Sequence, residues 1–165
     1  DELTFLHNSE FRNNLLLTLC KKLNNNTLIL VNFIEHGEIV YNKLVNLTDK
    51  QVFFIRGSVE VDERENIKQI MEKNNNIICV AISAIFSTGV NIKNLHNIIF
   101  AAGGKSFVRT VQSIGRGLRK HNNKEKLIIL DIADNLKYGK EHNLKRQEIY
   151  SLEKIKNTIK YITQP

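Results

Sequence analysis

Gln112, Arg116 and Arg119 are the side chains whose types and spacing point most directly to chemistry. On a helix running from Ser106 to Lys120, about 100° per residue places the three within an arc of roughly 60°, two guanidinium forks beside one amide. Arg109 extends the same polar stripe, while Phe107, Val111, Ile114 and Leu118 form an apolar stripe that such a helix would turn to a core. Guanidinium groups stay protonated and match phosphate oxygens in pairs, so the polar stripe reads as a phosphate-binding face. Gly115 and Gly117 flank Arg116. Each costs a helix interior roughly 1 kcal/mol relative to alanine, and close backbone approach by a ligand or a neighbouring lobe would account for them. The plain alternative is an amphipathic helix with a solvated basic face.

Other groupings carry less. Gly103-Gly-Lys-Ser106 looks like the second half of a phosphate-cradling loop, but Ile99 stands where G-x-x-x-x-G-K-[ST] requires its first glycine. Asp131 and Asp134 could face a cation, yet a strand-end and a turn-capping aspartate explain the pair better. His7, His36, His96, His121 and His142 show no metal-ligand spacing, and Cys20 and Cys79 stand far apart, so neither a zinc site nor a disulfide framework is indicated. Both cysteines are expected in the core.

Elements must position these side chains. Ser9 suits a helix N-cap, and Phe11, Leu15, Leu16, Leu19 and Leu23 recur at helical spacing until Asn24-Asn25-Asn26, which predicts a helix over 9–23. Thr27 to Phe33 is a nearly continuous apolar run, the pattern of a strand buried on both faces of a parallel sheet. A helix carrying Ile39, Val40, Leu44 and Leu47 should follow. Then come a strand at 51–55, an Arg56-Gly57 turn, a helix from Asp62 to Asn74-Asn75-Asn76 and a strand at 77–82. The cycle ends with strands near 97–101 and 126–132 around a helix over about 106–120, and one or two helices over 137–162. Alternating strands and helices predict an α/β fold, a mostly parallel sheet covered on both faces, with ligands gathering outside the strands' carboxyl ends. The loops after 33, 55, 82, 101 and 132 are where a site belongs. No linker interrupts the pattern. One domain is expected, its sheet-forming part over 1–135 and a helical extension over 136–165.

The net charge of +7 is unevenly spread: residues 1–104 hold 10 Lys and Arg against 11 Asp and Glu, and residues 105–165 hold 14 against 6. Clustered cations attract phosphate and release its counterions, so the second half favours a polyanionic partner. No apolar run reaches the roughly 20 residues of a membrane span and no basic leader opens the chain, which predicts a soluble cytoplasmic protein.

Gln112-Ser-Ile-Gly-Arg-Gly-Leu-Arg119 matches the Q-x-x-G-R-x-x-R motif VI of superfamily 2 helicases, and Ile78 to Asn91 resembles their motif V. Thr27 to Glu38 resembles motif IV, and Phe54-Ile-Arg-Gly57 resembles a strand-end motif that contacts the nucleic-acid backbone. The string from Phe86 to His96, with the contexts of Lys105-Ser106 and Arg119-Lys-His121, is similar to the bacteriophage UvsW branch-migrating group, over roughly residues 10–135. The resemblance implies a RecA-like three-layer α/β/α second lobe of an ATP-dependent DNA helicase. A phage origin would place it in the bacterial host cytoplasm. It also implies that Arg119 is an arginine finger, with Arg116 its companion and Gln112 positioning nucleotide or water. By the same resemblance Gly89 and Asn91 belong to the nucleotide-binding set, Asn91 meeting the ATP ribose, although aspartate is commoner there, and Gly89 in the loop that also grips a nucleic-acid phosphate. Arg56, Gly57, Ser83, Ser87, Thr88, Lys105 and Ser106 would grip nucleic-acid phosphates. ATP with Mg2+ would be held mainly by an N-terminal RecA-like lobe of the same protein, and the DNA would be branched or single-stranded. Alternatives are a nonenzymatic basic α/β binding module and the motor lobe of a restriction-modification translocase.

Overall fold

The computed structural model describes residues 4–5, 8–56, 61–82, 94–101, 128–132, 144 and 147–148. Their order is α1 (Glu10–Lys22), β1 (Thr27–Val31), α2 (Ile34–Leu47), β2 (Val52–Ile55), α3 (Val61–Lys73), β3 (Ile78–Ile82), β4 (Asn97–Phe100) and β5 (Ile128–Asp131). The five strands form one parallel sheet in the order β2-β3-β1-β4-β5. Every expected strand is present, somewhat shorter than its apolar run. The expected helix over 106–120 and most of that over 137–162 lie outside the described residues, as does position 135; Leu144, Gln147 and Glu148 are helical.

β1 lies at the centre of the sheet and all five of its residues are buried, which is why its sequence is apolar without alternation. Successive side chains still point to opposite faces. Leu28 and Leu30, with Cys79, Ala81, Ile98 and Phe100, pack under Ile67 and Met71 of α3. Ile29 and Val31, with Ile78, Val80 and Ile99, pack under Leu16, Leu17 and Cys20 of α1 and Val40 and Leu44 of α2. The result is three layers. Both cysteines are buried, as their isolation in the sequence suggested.

Ser9 caps α1, its hydroxyl accepting the Arg12 N–H at 3.4 Å. At the other end, Lys50 Nζ donates to Cys20 O at 3.2 Å and Leu23 O at 2.6 Å, a cation on carbonyls that the helix leaves unpaired. The buried face of α1 keeps Leu16 of the expected stripe but is rotated from the rest of it. Phe11, Leu15, Leu19 and Leu23 are half-buried, whereas Arg12, Asn13, Leu16, Leu17 and Cys20 are buried. The face at 12, 13, 16, 17 and 20 is buried because Arg12 and Asn13 find partners beneath the helix, and a count of apolar residues cannot register that.

The asparagine runs clasp the amino end of the sheet. Asn26 is fully buried; its Nδ2 lies 2.7, 2.9 and 2.8 Å from the carbonyls of Met71, Asn74 and Asn94, while its Oδ1 accepts the Ile77 N–H at 2.9 Å. Asn97 Nδ2 donates to Asn24 O at 2.7 Å. Asn25 and Asn76 adopt φ of 69° and 62°, the left-handed region asparagine tolerates better than most residues. The segments read only as helix stops therefore tie β1, β3, β4 and α3 together.

Candidate functional site

The carboxyl ends of the strands form one level edge. In the pairing register Val31 stands opposite Ile82, Ile55 opposite Ala81, and Phe100 opposite both Leu30 and Asp131. From β1 the chain proceeds to β2 on one side, whereas β4 leads to β5 on the other, so the direction of winding reverses at the β1–β4 pair. Open parallel sheets bind ligands outside the carboxyl ends at such a point. The segments that begin at this edge by chain continuity are 83–93 after β3 and 102–127 after β4.

Arg56 follows β2 at this edge. Val52 and Phe54 pack on the α1 and α2 side of the sheet, and the strand period of two brings Arg56 to that side as well. Its Nη1 lies 3.1 Å from Oε1 of Glu38 in α2, and its Cζ stands 4.9 Å from the centroid of the Phe54 ring. The Phe54 ring in turn stacks with Tyr41, centroids 6.0 Å apart. Both members of the ion pair are close to half exposed, at 44% and 43%. An exposed pair of this kind contributes about 0.2–1 kcal/mol, so Glu38 orients the guanidinium without locking it. A guanidinium carries five donors and the ion pair with Glu38 engages one nitrogen, which among the described residues leaves donors that can address an anion.

Beneath the edge lies a buried polar layer. Arg12, 5% exposed, donates through Nη1 to Ala101 O and through Nη2 to Ile132 O at 3.0 Å. Asn13 Oδ1 is 3.3 Å from Nε2 of His36, in the first turn of α2, and both side chains are buried. Phe33 and Ile34, where β1 passes into α2, are exposed. Burial pushes the thiols of Cys20 and Cys79 up from 9.0 to about 12, which makes both poor nucleophiles. Among the described residues no three His, Cys, Asp or Glu side chains gather as a metal site. No described helix is long and apolar enough to cross a membrane.

Of the side chains singled out in the sequence, Arg56 is placed, at the carboxyl edge. Gly57, Ser83, Ser87, Thr88, Gly89, Asn91, Lys105, Ser106, Gln112, Arg116 and Arg119 lie outside the described residues. Glu38 and Arg12 were not anticipated. The signal for Arg12 was present: it occupies the stripe that Leu16 and Cys20 continue, four and eight residues on.

The model of the helicase conserved C-terminal domain matches residues 10–121. The ATP-dependent DNA helicase uvsW of Enterobacteria phage T4 is 31% identical over 153 residues, covering 83% of this chain and 30% of its own length. A crystal structure of T4 UvsW superposes with a TM-score of 0.76 at 30% identity, over 92% of this chain and 34% of that one. Domain 2 of the DEAD-box helicase Mss116p, solved bound to an RNA duplex, shares the fold at 17% identity and a TM-score of 0.58, over 73% of this chain and 50% of that one. The chain thus spans about a third of the phage T4 protein it matches.

Proposed function

The chain belongs to the helicase conserved C-terminal domain family, with a RecA-like three-layer fold, and from that premise we propose that it is the second motor lobe of an ATP-dependent DNA helicase or translocase acting on branched or single-stranded DNA. The observation that supports this most is the level carboxyl edge, where Arg56 is presented and the segments 83–93 and 102–127 begin.

In this reading Mg2+ and most of the ATP are held by an N-terminal RecA-like lobe of the same protein. The nucleotide supplies the phosphoanhydride bond whose hydrolysis drives movement. The residue types here suit its phosphates: Arg119 and Arg116 would donate to oxygens over which negative charge spreads, and Gln112 would orient nucleotide or water. In the loop that holds Gly89, Asn91 would meet the ribose, its amide bonding a hydroxyl without the charge assistance an aspartate brings. Arg56, Gly57, Ser83, Ser87, Thr88, Lys105 and Ser106 would bind DNA phosphates, fixing position without reading sequence.

Steady-state ATP hydrolysis by the intact protein, with and without DNA, tests the proposal. The expected result is DNA-stimulated turnover that falls about 10³-fold or more in Arg119→Ala, with negligible hydrolysis by this chain alone. Vigorous turnover by the chain alone would sink the reading. The excess of 14 basic over 6 acidic residues in 105–165 supports the other reading, a nonenzymatic binding module, which DNA binding by an intact protein with no ATP turnover would establish.

A further inference from the structure

We propose that Phe33 is a stacking platform for an unpaired nucleobase, with Arg56 holding the phosphate backbone of the same strand. This rests on the motor-lobe reading above, in which Arg56 meets a DNA phosphate, and adds to it a contact with a base. Exposed apolar side chains are common on protein surfaces, so exposure by itself decides nothing. Position does. Phe33 follows β1, the central strand, and Ile34 opens α2; they are adjacent in the chain and 45% and 44% exposed. They therefore stand at the carboxyl end of the β1–β4 pair, where the winding of the sheet reverses and open parallel sheets admit ligands.

The patch runs on to Arg56. Ile34 and Glu38 lie one turn apart on α2, neighbours on the helix surface, and Glu38 Oε1 pairs with Arg56 Nη1 at 3.1 Å. β3 separates β1 from β2, which sets their carboxyl ends about 10 Å apart, a distance that a short run of extended strand bridges. An aromatic face beside a cation is the arrangement that binds single strands without reading sequence, because every base offers a π-face and every nucleotide a phosphate. Charge assigns the two roles. Glu35, exposed in the first turn of α2, and Glu38 disfavour a phosphate close to Phe33, whereas a neutral base meets no such penalty and the Arg56 guanidinium suits the phosphate. An apolar surface of the first lobe is the other candidate occupant. A small apolar patch with a cation at one side matches a nucleotide better, since a nucleotide is apolar on the faces of its base and charged at its phosphate.

Equilibrium binding of the intact protein to a single-stranded thymidine oligonucleotide and to an abasic strand of the same length tests this. Phe33→Ala should weaken binding to the base-bearing strand about tenfold and leave binding to the abasic strand unchanged within about twofold, with the slope of log affinity against log salt also unchanged. Phe33→Tyr, which keeps an aromatic face, should bind as the wild type does. Equal affinity of wild type and Phe33→Ala for the base-bearing strand, or an equal loss on both strands, overturns the proposal. So does a loss of ATP turnover in Phe33→Ala with strand affinity intact, the result expected if Phe33 packs against the first lobe. If Phe33→Ala is insoluble, Phe33→Leu carries the same comparison, keeping apolar bulk and removing the π-face. Wild-type protein that binds neither strand would instead be a failure of the motor-lobe reading itself, and of this proposal with it.

Discussion

The Phe54 ring occupies the space a side chain on Gly37 would need: a Cβ at position 37 would stand 2.6 Å from Phe54 Cε2 and 3.3 Å from Val31 Cγ2. The glycine lets α2 settle onto the sheet so that Phe54 can carry Arg56 on its face and Glu38 can reach the same guanidinium. A residue with poor helix propensity thus sets the geometry of the rim.

Gly37→Ala opposes two effects of similar size. Alanine improves helix propensity by roughly 1 kcal/mol, while overpacking a closed contact costs about 1–3 kcal/mol. Steric conflict should win, because Phe54 is held between Tyr41 and Arg56. We expect a net loss of about 1 kcal/mol in urea unfolding followed by circular dichroism. A stabilised variant would mean that the ring swings aside freely.

Arg56→Ala separates stability from binding. The ion pair with Glu38 is nearly half exposed, so unfolding free energy should change by less than about 1 kcal/mol. If Arg56 contacts a DNA phosphate, the slope of log affinity against log salt should become shallower by about 0.7–0.9. Titrations across a salt series measure this, and an unchanged slope removes Arg56 from the interface.

Asn26→Ala strips the amino-end clasp. The Ile77 N–H loses its acceptor in a buried position, where an unsatisfied group costs about 1–3 kcal/mol, and Asn94 O loses a donor, whereas Met71 O and Asn74 O keep Asn94 Nδ2 at 3.1 Å. The expected loss is about 2 kcal/mol or more, read from the same urea unfolding curves. Asn26→Asp should be worse at neutral pH, since it turns a carboxylate toward the three carbonyls. Acidification should partly relieve it.

The thiols of Cys20 and Cys79 make an alkaline prediction. Their folded values, near 12, exceed the unfolded value of 9.0. Between those limits the unfolded chain releases thiol protons that the folded chain keeps, so stability is whole below pH 9 and falls as pH rises towards 12. Unfolding midpoints measured across that range should drop, and less steeply in a Cys20→Ala, Cys79→Ala variant. In the native state at pH 8 both thiols should resist alkylation, with modification following global unfolding; rapid labelling of folded protein would contradict their burial.

The sequence by itself determined the parallel α/β plan, because a strand buried on both faces has to be apolar almost throughout, and Leu28–Val31 and Ile78–Ile82 are. It also marked Arg56 as lying at a strand end, and its spacing predicts one helix face for Gln112, Arg116 and Arg119, an expectation that lies outside the described residues. It could not give the strand order β2-β3-β1-β4-β5, which depends on how crossovers pack in three dimensions. Nor could it show that Glu38 would meet Arg56, or that the asparagines ending α1 and α3 would close on one another across the amino end of the sheet. Arg12 makes the difference plain. In the sequence it is a cation on a leucine-rich helix, and only the tertiary fold brings Ala101 O and Ile132 O, 89 and 120 residues away, within reach of its two nitrogens.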